Sequence, residues 1–147
     1  MALEKFLKRK ELVSCALDTS AIDIARIMKD QQVGAVVVLD QGRARGIVTD
    51  RDLVTRCISH NFDSGRMQAK DIMSQPIETI FANSGIYQAI TQMQNHKIRR
   101  MVVVNTAHQP IGILSSNDVL ELLSLEIAKL VTALGSDREK TMKDKVA

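Results

Sequence analysis

Tryptophan is absent from this chain of 147 residues, which has one tyrosine and three phenylalanines. So few aromatics leave almost no platform on which nucleobases could stack, the device that single-strand nucleic-acid binders depend on. Cysteine is scarce too. Cys15 and Cys57 lie far apart without Cys-x-x-Cys spacing, and each falls inside an apolar pattern, so both read as small core residues in a reducing compartment. His60, His96 and His108 share no ligand spacing with them or with one another, so neither a metal site nor a cysteine nucleophile is expected. No apolar run approaches the ~20 residues that cross a bilayer. The start, Met1 to Lys10, is charged and lacks the apolar middle of a secretory signal. The expectation is a cytoplasmic protein.

Charge of one sign is also in short supply. Twenty Lys and Arg stand against 17 Asp and Glu, a net +3 that says little about partners and argues against a dedicated nucleic-acid binder. Lys5, Lys8, Arg9 and Lys10 form a short basic run that reads as a solvated helical face. What is present is the ordinary balance of a globular chain, 45% apolar and 25% charged, which excludes a disordered one.

The most informative presence is internal repetition. Ala21, Ile24, Ala25 and Met28 form the stripe of an amphipathic helix, and Ile86, Ala89, Ile90 and Met93 repeat it 65 positions later. Polar turns, Asp18-Thr-Ser20 and Asn83-Ser-Gly85, precede both. Each helix leads through Val33 or Ile98 to a β-branched run, Val36–Leu39 or Met101–Val104, that reads as a buried strand. The second turn is one residue longer, so Gly46–Val54 aligns with Gly112–Leu120 at a spacing of 66. Helices follow, apolar at Leu53, Val54, Cys57 and Ile58 and at Val119, Leu120 and Leu123; short strands fit upstream at Leu12–Cys15 and Ile77–Ile80. Each half therefore reads β-α-β-β-α, an α/β (α+β) architecture. Beyond Leu123 a helical pattern continues from Leu125 to Leu134, with Gly135 expected as its C-cap and a frayed charged tail after it.

Both halves carry Gly, two aliphatics, a hydroxyl residue and, three positions on, Asp: Gly46/Thr49/Asp52 and Gly112/Ser115/Asp118. Two readings fit. Thr49 and Ser115 are N-caps and the aspartates close capping boxes. Alternatively, the helix starts bind an anionic ligand, with the hydroxyl donating to phosphate or sugar, the carboxylate accepting both hydroxyls of a ribose, and the glycine admitting close backbone approach.

The stretch from about Leu12 to Ser124 resembles a tandem pair of cystathionine-β-synthase-type (CBS) domains of the stand-alone bacterial or archaeal type. The residues that carry the resemblance are Val33–Asp40 with Gly46–Leu53, and in the second half Lys70–Pro76, His96–Val104 and Gly112–Asp118. It implies two β-α-β-β-α motifs packed as a pseudo-two-fold pair. The expected organisation is a basic helical segment at 1–11, repeats at 12–60 and 70–124, a linker at 61–69, and a helix with charged tail at 125–147. The resemblance also implies a regulatory module and no enzyme. It would need no cofactor, would bind AMP, ADP, ATP or S-adenosylmethionine in clefts between the repeats, and would form a homodimer that signals to a partner protein. By position, Asp52 and Asp118 would hold ribose hydroxyls, and Thr49 and Ser115 would contact ribose or phosphate. Ala35, Val36, Arg100 and Met101 would edge the adenine with backbone groups. Cys15 and Ile80 would help to wall the pockets, and Asn117 stands inside the second motif. The alternative is a ligand-free dimerisation or scaffold module.

The halves differ where the central strand begins, Gly34-Ala35 against Arg99-Arg100. Guanidinium groups bind phosphate bidentately, so the site around Asp118 with Arg99 and Arg100 is expected to favour a charged nucleotide. Arg51 is the comparable candidate in the first repeat. The first repeat also lacks a lead-in like Lys70–Met73; Glu4–Lys10 stands there instead.

Overall fold

The computed structural model describes residues 3–8 and 10–146; Arg9 of the basic run lies outside the described residues. The first repeat runs β1 (Ser14–Ala16), α2 (Ala21–Gln31), β2 (Ala35–Asp40), β3 (Arg43–Thr49) and α3 (Asp50–Asp52). A π-helical turn, Leu53–Cys57, and a 3₁₀ turn, Ile58–His60, extend α3. The second repeats this order in β4 (Thr79–Phe81), α5 (Ile86–His96), β5 (Arg100–Val104), β6 (Pro110–Ser115) and α6 (Ser116–Val146). Short helices precede each repeat: α1 (Leu3–Leu7) and α4 (Ala69–Ile72). The expected β-α-β-β-α duplication is therefore formed, with the opening strands two residues later than the apolar pattern suggested.

Each half builds a three-stranded sheet with its longest hydrophobic strand in the middle: β1-β2-β3 and β4-β5-β6, parallel then antiparallel in both. A bulge interrupts the antiparallel pair after Val38 in one sheet and after Val103 in the other. Alternation of side chains across the sheet explains why both central strands are apolar throughout. Val36 and Val38 enter one repeat's own core with Ile24 and Met28 of α2. Val37 points the other way, joining Ile47, Val102 and Val104 in a layer shared by the two sheets. Val103 and Met101 face α5 in the second core with Ala89 and Met93.

The lead-in helices are exchanged between repeats. α1 packs on the second core through Leu3 and Leu7, and α4 packs on the first through Ala69, Ile72 and Met73. The same hydrogen bonds tie both. The Leu3 and Glu4 amides donate to the Ser84 and Ala82 carbonyls, and the Ala69 and Lys70 amides to the Thr19 and Leu17 carbonyls. Gly46 and Gly112 give these crossings their room. A Cβ on Gly46 would stand 2.6 Å from the Met73 sulfur, and one on Gly112 would stand 3.2 Å from Leu7 Cδ2. The space expected to admit a ligand is filled by the lead-in.

Ser20 caps α2 as expected, its hydroxyl accepting from the Asp23 amide at 3.2 Å. Both cysteines sit among core residues, Cys57 fully buried and Cys15 half-buried. The C-terminus departs from expectation. α6 runs through Gly135 to Val146 without a left-handed stop, because the tail beyond the glycine is rich in strong helix formers such as Glu139, Lys140 and Met142. Among the described residues, no α6 side chain past Leu123 joins a core.

Candidate functional site

Both hydroxyl–carboxylate pairs close capping boxes where the third strand of each sheet turns into helix. The Asp52 amide donates to Thr49 Oγ1 (3.1 Å) and the Thr49 amide to Asp52 Oδ2 (2.9 Å). The Asp118 amide donates to Ser115 Oγ (3.1 Å) and the Ser115 amide to Asp118 Oδ2 (2.8 Å). The capping reading is thus realised twice. It occupies one oxygen of each aspartate and leaves Oδ1 available for other partners.

Those partners differ between the repeats. Asp52 Oδ1 lies 3.7 Å from Arg56 Nε, and the Ser74 hydroxyl stands 3.4 Å from the same carboxylate. Arg56 is held in turn by donating to the Ile72 and Met73 carbonyls, both at 3.0 Å. Asp118 Oδ1 is paired with the Lys10 ammonium, which arrives from the segment after α1. Lys10 is therefore a cleft residue, unlike the solvated lysine that its basic run suggests.

Among the described residues, a larger and a smaller cleft lie between the repeats. The larger, about 450 Å³, brings Ser115 and Asp118 of the second repeat against Val33, Gly34 and Ala35 of the first, with Lys10, Val13 and Arg100 on its walls. The smaller, about 200 Å³, brings Thr49 and Ile47 of the first repeat against Ile98, Arg99 and Arg100 of the second, with Ser74 and Ile77. The clefts are related by the repeat. They differ in what begins the central strand that walls them, Gly34-Ala35 in the larger and Arg99-Arg100 in the smaller.

Of the residues proposed from sequence, Ala35, Arg100, Ser115 and Asp118 converge on the larger cleft, and Thr49, Arg99 and Arg100 on the smaller. The expected grouping of Asp118 with both arginines is divided, since Arg99 lines only the smaller cleft. Asp52 is buried behind Ser74 at that cleft's edge. Arg51 and Asn117 are exposed at the helix starts. Val36, Met101 and Ile80 are buried in the cores, and Cys15 is half-buried in the first. Burial pushes the Cys15 thiol up to about 11, against a smaller opposing effect of a Thr19 hydrogen bond. Sequence reasoning did not single out Glu11, Gln31, Gln32, Ser74, Pro76 or Glu78, which complete the linings. Ser74 and Pro76 stood in the Lys70–Pro76 stretch that carries the family resemblance; the others had only position, just ahead of a strand or at the end of a helix. Among the described residues no three His, Cys, Asp or Glu side chains are placed to hold a metal ion.

Comparison with known proteins agrees with this geometry. The CBS domain profile matches residues 5–59 and 69–125. An uncharacterised protein of Methanopyrus kandleri is 30% identical over 115 residues, which make up 78% of this chain and 59% of that one. The CBS domain-containing protein YhcV of Bacillus subtilis is 31% identical over 97 residues, 66% of this chain and 68% of its own. The chain thus spans less than two-thirds of the archaeal relative. A CBS domain protein from Pyrobaculum aerophilum, solved in complex with AMP, superposes with a TM-score of 0.71 at 25% identity, covering 84% of this chain and 99% of that one.

Proposed function

The chain belongs to the CBS-domain family, and from that premise we propose that it is a regulatory module whose larger cleft takes an adenosine-containing ligand: AMP, ADP, ATP or S-adenosylmethionine. The observation that carries this reading is the composition of the cleft. A buried carboxylate at the start of a long helix, a neighbouring hydroxyl and two cations, Lys10 and Arg100, face a wall of small and apolar residues, Val13, Val33 and Ala35. The carboxylate suits ribose hydroxyls, the apolar wall suits a base, and the cations with the helix dipole suit phosphate. At about 450 Å³ the cleft falls within the range of small-molecule sites, and at about 200 Å³ its counterpart falls below it. The AMP complex of the Pyrobaculum relative supports the ligand class.

Because each cleft is walled by both repeats, a ligand that prefers one relative tilt of the repeats would shift that equilibrium, and a partner protein would read the shift. The role is regulatory and not enzymic. The molecule acts as a homodimer through apolar side chains left exposed on the helices, Val54, Ile58, Leu120, Ile127, Leu130 and Leu134. Two free thiols support a cytoplasmic setting, and among the described residues no helix is long and apolar enough to cross a membrane. A second reading, a ligand-free scaffold, is favoured by one observation: both carboxylates already have partners within the chain.

Thermal denaturation with AMP, ADP, ATP, S-adenosylmethionine and GTP separates the two. A ligand at 100 times its dissociation constant adds about 2.7 kcal/mol, a rise of roughly 5–10 °C for a chain of this size. Stabilisation by an adenosine ligand but not GTP, lost in Asp118→Ala, is the expected result. No shift with any of them selects the scaffold.

A further inference from the structure

Asp118 and Lys10 are 108 positions apart, and their pairing has a consequence for what the larger cleft accepts. One carboxylate oxygen of Asp118 is committed to the Ser115 amide at 2.8 Å, so a ligand hydroxyl has to compete with Lys10 for the other. Lys10 cannot withdraw far. Its amide donates to the Leu7 carbonyl at 2.9 Å, and Leu7 is locked in the second core against Gly112. Its ammonium also sits 4.9 Å from the centroid of the Phe6 ring. A displaced ammonium therefore stays at the half-exposed rim on its four-carbon stem, where a phosphate is a better partner than water. A nucleoside without phosphate removes the lysine's partner and returns nothing. A phosphorylated one exchanges carboxylate for phosphate.

We infer that Lys10 selects phosphorylated over unphosphorylated nucleosides in the Asp118 cleft, with the Lys10–Asp118 pair as its resting position. The inference rests on the nucleotide reading of that cleft. The smaller cleft has no lysine among its lining residues and presents Arg99 and Arg100 instead, so this exchange of carboxylate for phosphate belongs to the Asp118 cleft.

Calorimetric titration of the full chain with AMP and with adenosine tests it, using wild type, Lys10→Gln and Lys10→Arg. In Lys10→Gln the affinity for AMP falls about tenfold, the worth of one charge-assisted hydrogen bond, while adenosine binds no more weakly than before because its competitor is gone. Lys10→Arg keeps the preference for AMP. An unchanged AMP affinity in Lys10→Gln, or a parallel loss for both ligands, overturns the inference while leaving the nucleotide reading intact. Absence of binding by either ligand to wild type overturns the nucleotide reading itself, and this inference with it.

Discussion

Gln32 and Lys97 stand 65 positions apart and end the first long helix of each repeat in the same left-handed conformation, with φ of 54° and 53°. Neither is glycine, so each bears the crowding of a Cβ in that region. Lys97→Gly relieves it and is expected to raise stability by about 0.5–1 kcal/mol, net of the greater freedom of glycine in the unfolded chain. A urea midpoint that rises at unchanged slope confirms this, and a lower midpoint refutes it.

Gly46→Ala is expected to destabilise by about 1–3 kcal/mol, the range for overpacking a filled core. The Met73 side chain is mobile enough to yield, but the Ser74 carbonyl oxygen at 3.0 Å is backbone and cannot. Gly112→Ala meets only the tip of Leu7 and costs less. Equal losses in urea denaturation of the two variants would contradict the packing described for these crossings.

Thr49→Ala removes the cap from α3 and should cost about 1 kcal/mol, whereas Thr49→Ser keeps the accepting oxygen and most of the stability. Chemical denaturation of ligand-free protein reads this contribution separately from any role of Thr49 in binding.

Cys15 makes stability depend on alkaline pH. The ordinary thiol value is 9.0 and burial holds the folded one near 11, so the folded chain keeps this proton after the unfolded chain has lost it. The contribution is complete below about pH 9 and disappears as pH rises toward about 11. Between those limits wild type should lose stability more steeply than Cys15→Ala. Parallel urea midpoints for the two proteins across that window would rule it out.

Leu130→Glu combined with Leu134→Glu places two charges in the exposed seam of α6. Both side chains are more than half exposed and neither joins a core, so the fold should survive. The expected change is a halved mass by light scattering with an unaltered circular dichroism spectrum. A wild-type mass of one chain would remove the homodimer from the proposal.

Much of this architecture was legible because it rests on local signals that occur twice. The apolar stripe from Ala21 to Met28, the valine runs of the central strands and the hydroxyl-x-x-Asp starts of α3 and α6 each state their conformation within a few residues, and their copies fix the register. Contacts between distant segments were not legible. Leu3 and Leu7 announce a helical face but not which sheet it covers, and Lys10 looks like any lysine beside other bases until the fold brings it to Asp118. Gly135 resembled a stop. A glycine costs a helix only about 1 kcal/mol, and with no left-handed turn there the helix formers beyond it carried α6 onward.

The exchange of α1 and α4 means that neither half of this polypeptide is complete by itself. Severed between Asn61 and Gln68, the first piece would hold a helix with no sheet to lie on and a core missing Ala69, Ile72 and Met73; the second would be short of Leu3 and Leu7. Each repeat carries the closing part of the other, so the two are clasped together. What was duplicated is a single repeat, and what results is an interlocked pair whose halves each lack part of their core when parted.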